Sequence, residues 1–210
     1  MLFLENKITL INQYLKQDAL YDSRFQPGYF INAIAQTAAM QSIEGNDKLQ
    51  YLPVVYNKQA QEYNYIGLDD TYPIIIYHKH LQTTYVDLEL NERKETNKMQ
   101  MVVFGRLDAL NLNAETLGAL LVTGFPATIK KNDYSNLPIV INSVTLTDAQ
   151  PDAQAVFAKE YRNTAYQLGP QHALLQFGYT IESTYNRKCF DICGCLSTEK
   201  PGGDNPPNKK

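Results

Sequence analysis

HALLQFGYTIEST, residues 172–184, alternates in character almost from end to end. Leu175, Phe177, Tyr179 and Ile181 fall on one side, and Gln176, Gly178, Thr180 and Glu182 on the other. A β-strand sends successive side chains to opposite faces, so this spacing predicts a strand with an apolar face. MQMVVFG, residues 99–105, repeats the pattern in part: Met99, Met101 and Val103 point one way, Gln100, Val102 and Phe104 the other. YLPVVY, QEYNYIG and TYPIIIYHKH, all between residues 51 and 80, are short and rich in Val, Ile and Tyr, and they too read as strands. IVINSVTLT, residues 139–147, adds one more through its β-branched content.

Helices flank and interrupt these strands. Leu4, Ile8, Ile11 and Leu15 fall at i, i+4, i+7 and i+11, one stripe of a 3.6-residue period. A second helix is expected from Pro27 to about Ile43, with Phe30, Ile34 and Ala38 on one face and Gly45 beyond its end. Asn113 is a good N-cap for a third helix, with Leu117, Leu120 and Leu121 as its buried stripe. Gly124 is expected to close that helix in a left-handed conformation, and Pro126 to stop it. PDAQAVFAKEYRN, residues 151–163, reads as a helix opened by Pro151, with Val156 and Tyr161 on one face. The order lacks regular strand–helix–strand alternation. It therefore predicts an α+β fold: a mainly antiparallel sheet with helices packed on one face.

Three regions follow: an N-terminal helical segment of residues 1–48, an α+β core of residues 49–196, and a polar tail of residues 197–210 expected to be disordered. Within the core, VDLELNERKETNK, residues 86–98, reads as a solvated loop or hairpin arm. Its acids Glu89, Glu92 and Glu95 are interleaved with Arg93 and Lys94.

The formal net charge is −3, with no long basic run, which argues against a protein that clamps a phosphate backbone. No apolar run is long enough to cross a bilayer, and MLFLENKITL does not read as a signal peptide. Fifteen Tyr accompany no Trp. Tyrosine suits surfaces that become half-dry on association; codon drift in an AT-rich genome produces the same excess.

Chemistry is sparse. No phosphate-binding loop, dinucleotide fingerprint, zinc-protease helix or nucleophile elbow is present. His78 and His80 are two apart on an expected strand, so both leave one face, which is compatible with two metal ligands. No third ligand is fixed nearby by spacing. KCFDICGC, residues 188–195, holds all three cysteines, Cys189, Cys193 and Cys195, without the paired spacing of a zinc ribbon. It is read as closing the fold, with Phe190 and Ile192 tucked beside the last strand.

Three stretches carry a resemblance: TYPIIIYHKH (71–80), MVVFGRLDALNLNAETLGALLVTGFPATI (101–129) and FAKEYRNTAYQLGPQHALLQFGYTIESTYNRKCFDIC (157–193). In texture and order they resemble small virion proteins of tailed bacteriophages of Bacteroides-type hosts, including crAss-like phages. Those proteins serve as neck connector rings or tail terminators. The resemblance implies a non-enzymatic subunit without cofactor or metal, assembled in the bacterial cytoplasm into a virion. It implies a ring of six or twelve copies that touches portal, neck or tail proteins and passes genome DNA without reading its sequence. Tyr63, Tyr65, Tyr72, Tyr85, Glu89, Glu92 and Arg93 are then candidates for the subunit interface. Two other readings stand beside it: a monomeric host-interaction or binding module, and a metal-dependent hydrolase using His78 and His80.

Overall fold

A computed structural model of the chain describes residues 4–40, 49–125, 139–150, 152–164 and 166–186. Helix α1 (Leu4–Gln17) and a short 3-10 turn (Ser23–Phe25) lead into strand β1 (Tyr29–Met40). Then come β2 (Gln50–Asn57), β3 (Glu62–Tyr65), β4 (Ile74–Asp87) and β5 (Glu92–Arg106). Helices α2 (Leu107–Leu110) and α3 (Ala114–Gly124), strand β6 (Ile139–Gln150), helix α4 (Ala153–Glu160) and strand β7 (His172–Asn186) follow. The seven strands form one sheet in the order β3-β2-β1-β4-β5-β7-β6. Every pairing is antiparallel except that of β1 with β4. The α+β class and the mostly antiparallel sheet are as the sequence predicts.

The sheet has a core on each face. On one, Leu4, Ile8, Ile11 and Leu15 of α1 pack with Leu117 and Leu121 of α3 over Ile74, Ile76, Met101, Val103, Leu175, Phe177 and Ile181. The α1 stripe is thus the one its periodicity predicts, and burying such side chains stabilises by about 1.5–3 kcal/mol each. On the other face, Val156 and Tyr161 at α4 meet Ile75, Tyr77, Val102, Phe104 and Leu174. Helices therefore lie on both faces, which corrects the expectation of one. The physical reason is in β4: Ile74, Ile75, Ile76 and Tyr77 are all buried, so both sides of that strand need a cover.

The expected second helix is not formed: residues 29–40 are strand β1, so the region 1–48 holds one helix and one strand. Pro27 stands in a cis peptide bond with Gln26 instead of opening a helix. β1 lies inside the sheet, parallel to β4 and antiparallel to β2. Phe30 and Ile34 face α1, whereas Ile31 and Ala35 face the α4 side, with a register shift between Phe30 and Ile34. A strand buried on two faces and interrupted by a bulge loses its period of two, and what remained in the sequence mimicked a helical stripe. Pairing on both edges then overrides the helical preference of its alanines.

Caps behave more simply. Asn113 accepts a hydrogen bond from the Thr116 amide, as predicted for the start of α3. Asp152 caps α4 by accepting from the Gln154 and Ala155 amides at 3.0 and 3.1 Å, while Pro151, expected to open this helix, lies outside the described residues. Gly124 does not end α3 in a left-handed conformation; it is the last residue of α3, before Phe125 at φ −70°. Its lack of a side chain serves a close approach instead, since a Cβ there would stand 2.1 Å from Cβ of Ala19. Pro126, KCFDICGC and the tail 197–210 lie outside the described residues.

Candidate interaction surfaces

Of the two histidines that looked most like chemistry, His78 is built into the core and His80 is half-buried. His78, fully buried, sits between two partners: its Nε2 is 2.9 Å from Oδ1 of Asn12 and its Nδ1 is 2.8 Å from the Tyr179 hydroxyl. An amide oxygen only accepts, so Nε2–H donates to Asn12, and Nδ1 accepts from Tyr179. The Asn12 amide nitrogen donates in turn to the Ile31 carbonyl and to Oδ1 of Asn32. Burial holds the His78 pKa down to about 3, so the ring is neutral at ordinary pH. Both ring nitrogens are occupied, which leaves His78 no lone pair for a metal.

His80 belongs to a second chain of contacts on the same face. Its Nε2–H donates to Thr83 Oγ1 at 2.7 Å, because the Thr83 hydroxyl donates to Asn97 Oδ1 at 2.8 Å. The Asn97 amide donates to Glu95, and Glu95 pairs with Nζ of Lys7 at 3.1 Å. Lys7 also donates to Ser183 Oγ at 2.8 Å. Burial pushes the Lys7 pKa down, against the pull of Glu95. Burial also pushes the Glu95 carboxyl up, but the Lys7 charge and hydrogen bonds from Asn97 and Lys7 outweigh it, so its pKa falls. Glu95 is therefore no part of a solvated arm; it is fully enclosed. Among the described residues, no group of three or more His, Cys, Asp or Glu is placed to hold a metal ion.

Apart from Tyr21, in the segment after α1, the exposed aromatic side chains fall into two groups. Tyr63 and Tyr65, each 58% exposed, stand on edge strand β3. Tyr63 packs on Tyr56 of β2 with ring centroids 5.1 Å apart, and Tyr72, just before β4, stacks on Tyr29 at the same distance. The other group lies at the far end of β4. There the Arg93 guanidinium sits 5.5 Å from the Tyr85 ring centroid, and its Nε is 2.6 Å from Asp87. Glu89 lies in the 3-10 turn that joins β4 to β5, and Glu92 opens β5; both are exposed. At the rise of an extended strand, Tyr72 and Tyr85 are about 40 Å apart. The seven candidate interface residues thus form two patches.

Between the patches the sheet forks. β1 and β4 are paired as far as Ala35 and Lys79. Beyond that point β1 follows β2 to Met40, while β4 follows β5 to Asp87. A cleft of about 480 Å³ opens in the fork, lined by Glu5, Ile34, Thr37, Tyr56, Lys79 and His80 among others. Past the fork, the β4 edge opposite β5 has no strand partner among the described residues. That edge reads LQTTYV over residues 81–86, with no charge and no proline, and Leu81 and Val86 are 58% and 56% exposed.

A second cavity, of about 540 Å³, lies at the Tyr65 end. Tyr29, Tyr65, Tyr72 and Tyr166 line it together with Asp69 and Asp70. Asp69 accepts from the Thr71 amide at 2.8 Å, and Asp70 lies 3.1 Å from Nε2 of His172. Tyr29, Asp69, Asp70 and Tyr166 were not singled out from the sequence. The run YNYIGLDDTY, residues 63–72, was the available signal, a paired acid between tyrosines in one loop.

No helix among the described residues is long and apolar enough to cross a membrane. No protein-family model matches the chain, and no curated protein matches it.

Proposed function

We propose that this chain is a structural subunit that works by self-association, forming a ring at the head–tail junction of a tailed phage as a neck connector or tail terminator. The observation that supports it is the β4 edge beyond the fork. Proteins usually blunt such edges with lysine, proline or a covering segment. Residues 81–86 have neither kind of residue, and they present Leu81, Tyr85 and Val86 along an edge that no described strand pairs with. An edge of this composition is a template for a strand from another chain.

The two patches are also unlike and far apart. A contact that joins one patch to the other on the next copy is heterologous, and it closes into a ring when the rotation allows. Tyr63, Tyr65 and Tyr72 supply one side; Tyr85, Glu89, Glu92 and Arg93 supply the other. Neighbouring portal, neck or tail proteins would use the two flat faces of such a ring. A net charge of −3 per copy suits a channel that repels phosphate and lets DNA slide.

Sedimentation velocity with electron microscopy tests this. The expected result is a closed six-fold or twelve-fold ring at micromolar concentration. A particle that stays monomeric, even with neighbouring virion proteins present, rejects the reading and favours a monomeric binding module.

A further inference from the structure

The cavity at the Tyr65 end goes beyond self-assembly. We propose that it is a binding site for an organic cation with alkylated or delocalised charge, such as a quaternary ammonium or a guanidinium group.

Three observations support this ligand class. The walls carry four tyrosine rings and two carboxylates, and no Lys or Arg. The face of an aromatic ring attracts a cation, by about 0.5–1 kcal/mol when exposed and about 2 when desolvated. Both carboxylates are held in place: Asp69 by the Thr71 amide, Asp70 by His172. Gly67 lets the backbone pass close under the rings, since a Cβ there would lie 3.0 Å from the Tyr166 hydroxyl and 3.6 Å from the Tyr65 ring.

The electrostatics agree with the geometry. The Tyr166 hydroxyl is pushed up by partial burial first, and then by the neighbouring Tyr65 and Asp69. Asp69 is the carboxylate that bears on this wall; Asp70 is shared with His172, and Arg106 Nη1 donates to the Asp70 carbonyl from outside the lining. A small hard metal ion is a poor fit, because the described residues bring no cluster of three ligands together. A volume of about 540 Å³ suits a small organic group.

The cation can arrive free or on a protein side chain. Two probes separate these sources: choline, and a peptide with a single arginine flanked by glycine and serine. Binding to the full chain is read by NMR shifts of the tyrosine ring protons. Choline is compared with its uncharged isostere, in which carbon replaces the quaternary nitrogen. Tyr65→Ala removes an exposed ring, and Asp69→Asn removes a charge while keeping the oxygen that accepts from Thr71. Saturable binding of either cation, at least tenfold weaker in both variants and absent for the isostere, is the expected result. The stronger probe then identifies the source. No saturation with either probe, equal binding of the isostere, or affinity unchanged in both variants overturns the proposal. Folding of each variant is checked by its thermal midpoint. Because Tyr65 and Tyr72 also belong to the proposed subunit contact, the titration is run on protein that sedimentation shows to be monomeric, so loss of cation binding is read separately from loss of assembly.

Discussion

Nζ of Lys7 and Oε1 of Glu95 lie 3.1 Å apart, both side chains enclosed, although 88 residues separate them in the chain. This pair pins α1 onto the outer half of β5. Breaking a buried pair by removing one partner strands a charge, which costs about 3–5 kcal/mol. Lys7→Met and Glu95→Gln should each lower stability by about that amount in urea unfolding. A double variant, Lys7→Met with Glu95→Leu, should recover most of the loss, because neither charge is left. Single variants costing under about 1 kcal/mol would mean that the pair is solvated.

His78 should make folding stability depend on pH. Its folded pKa is about 3, below the ordinary 6.5, so the unfolded chain binds the proton more tightly. Stability from this group is therefore complete above pH 6.5 and is lost as pH falls towards about 3. The slope approaches about 1.4 kcal/mol per pH unit in that window. Urea unfolding between pH 6.5 and 5 should show the decline, and His78→Gln should flatten it. An equally steep decline in the variant would assign the effect to other groups.

Gly124→Ala sets two effects against each other. Glycine to alanine inside a helix gains about 1 kcal/mol. Here, however, the new Cβ would meet Ala19 at 2.1 Å from its Cβ and 2.8 Å from its Cα. Backbone on the far side cannot rotate away, and overpacking costs about 1–3 kcal/mol. The clash should win, so the thermal midpoint falls. A rise would show that the contact between α3 and the loop after α1 yields easily.

The β4 edge should control assembly without controlling the fold. Val86→Lys and Leu81→Lys place a charge on exposed positions, where stability changes stay within about 0.5 kcal/mol. Each should shift the sedimentation profile towards monomer while the thermal midpoint holds. Oligomers that survive both charges would put the subunit contact elsewhere.

Much of the architecture was legible because its periodicities are local. The α1 stripe, the alternation of β7 and β5, and the Asn113 cap depend on neighbours within a turn or a pleat, and local physics suffices for them. β1 was not legible, because burial on both faces erased the alternation that marks a strand. The arm was half legible: its outer residues are exposed as expected, but Glu95 is matched by a lysine from the other end of the chain. The two histidines share a face, as their spacing requires; nothing in that spacing shows that Asn12 and Tyr179 occupy both nitrogens of His78. The cavity between Tyr65 and Asp69 was equally hidden, since its walls come from β1, the loop before β4 and the segment after α4. Sequence alone determined where apolar stripes and caps lie. Which polar groups meet in the interior, and which strand edges lack a strand neighbour among the described residues, was decided only by the order of strands in the sheet, because that order alone brings residues nearly a hundred positions apart into contact.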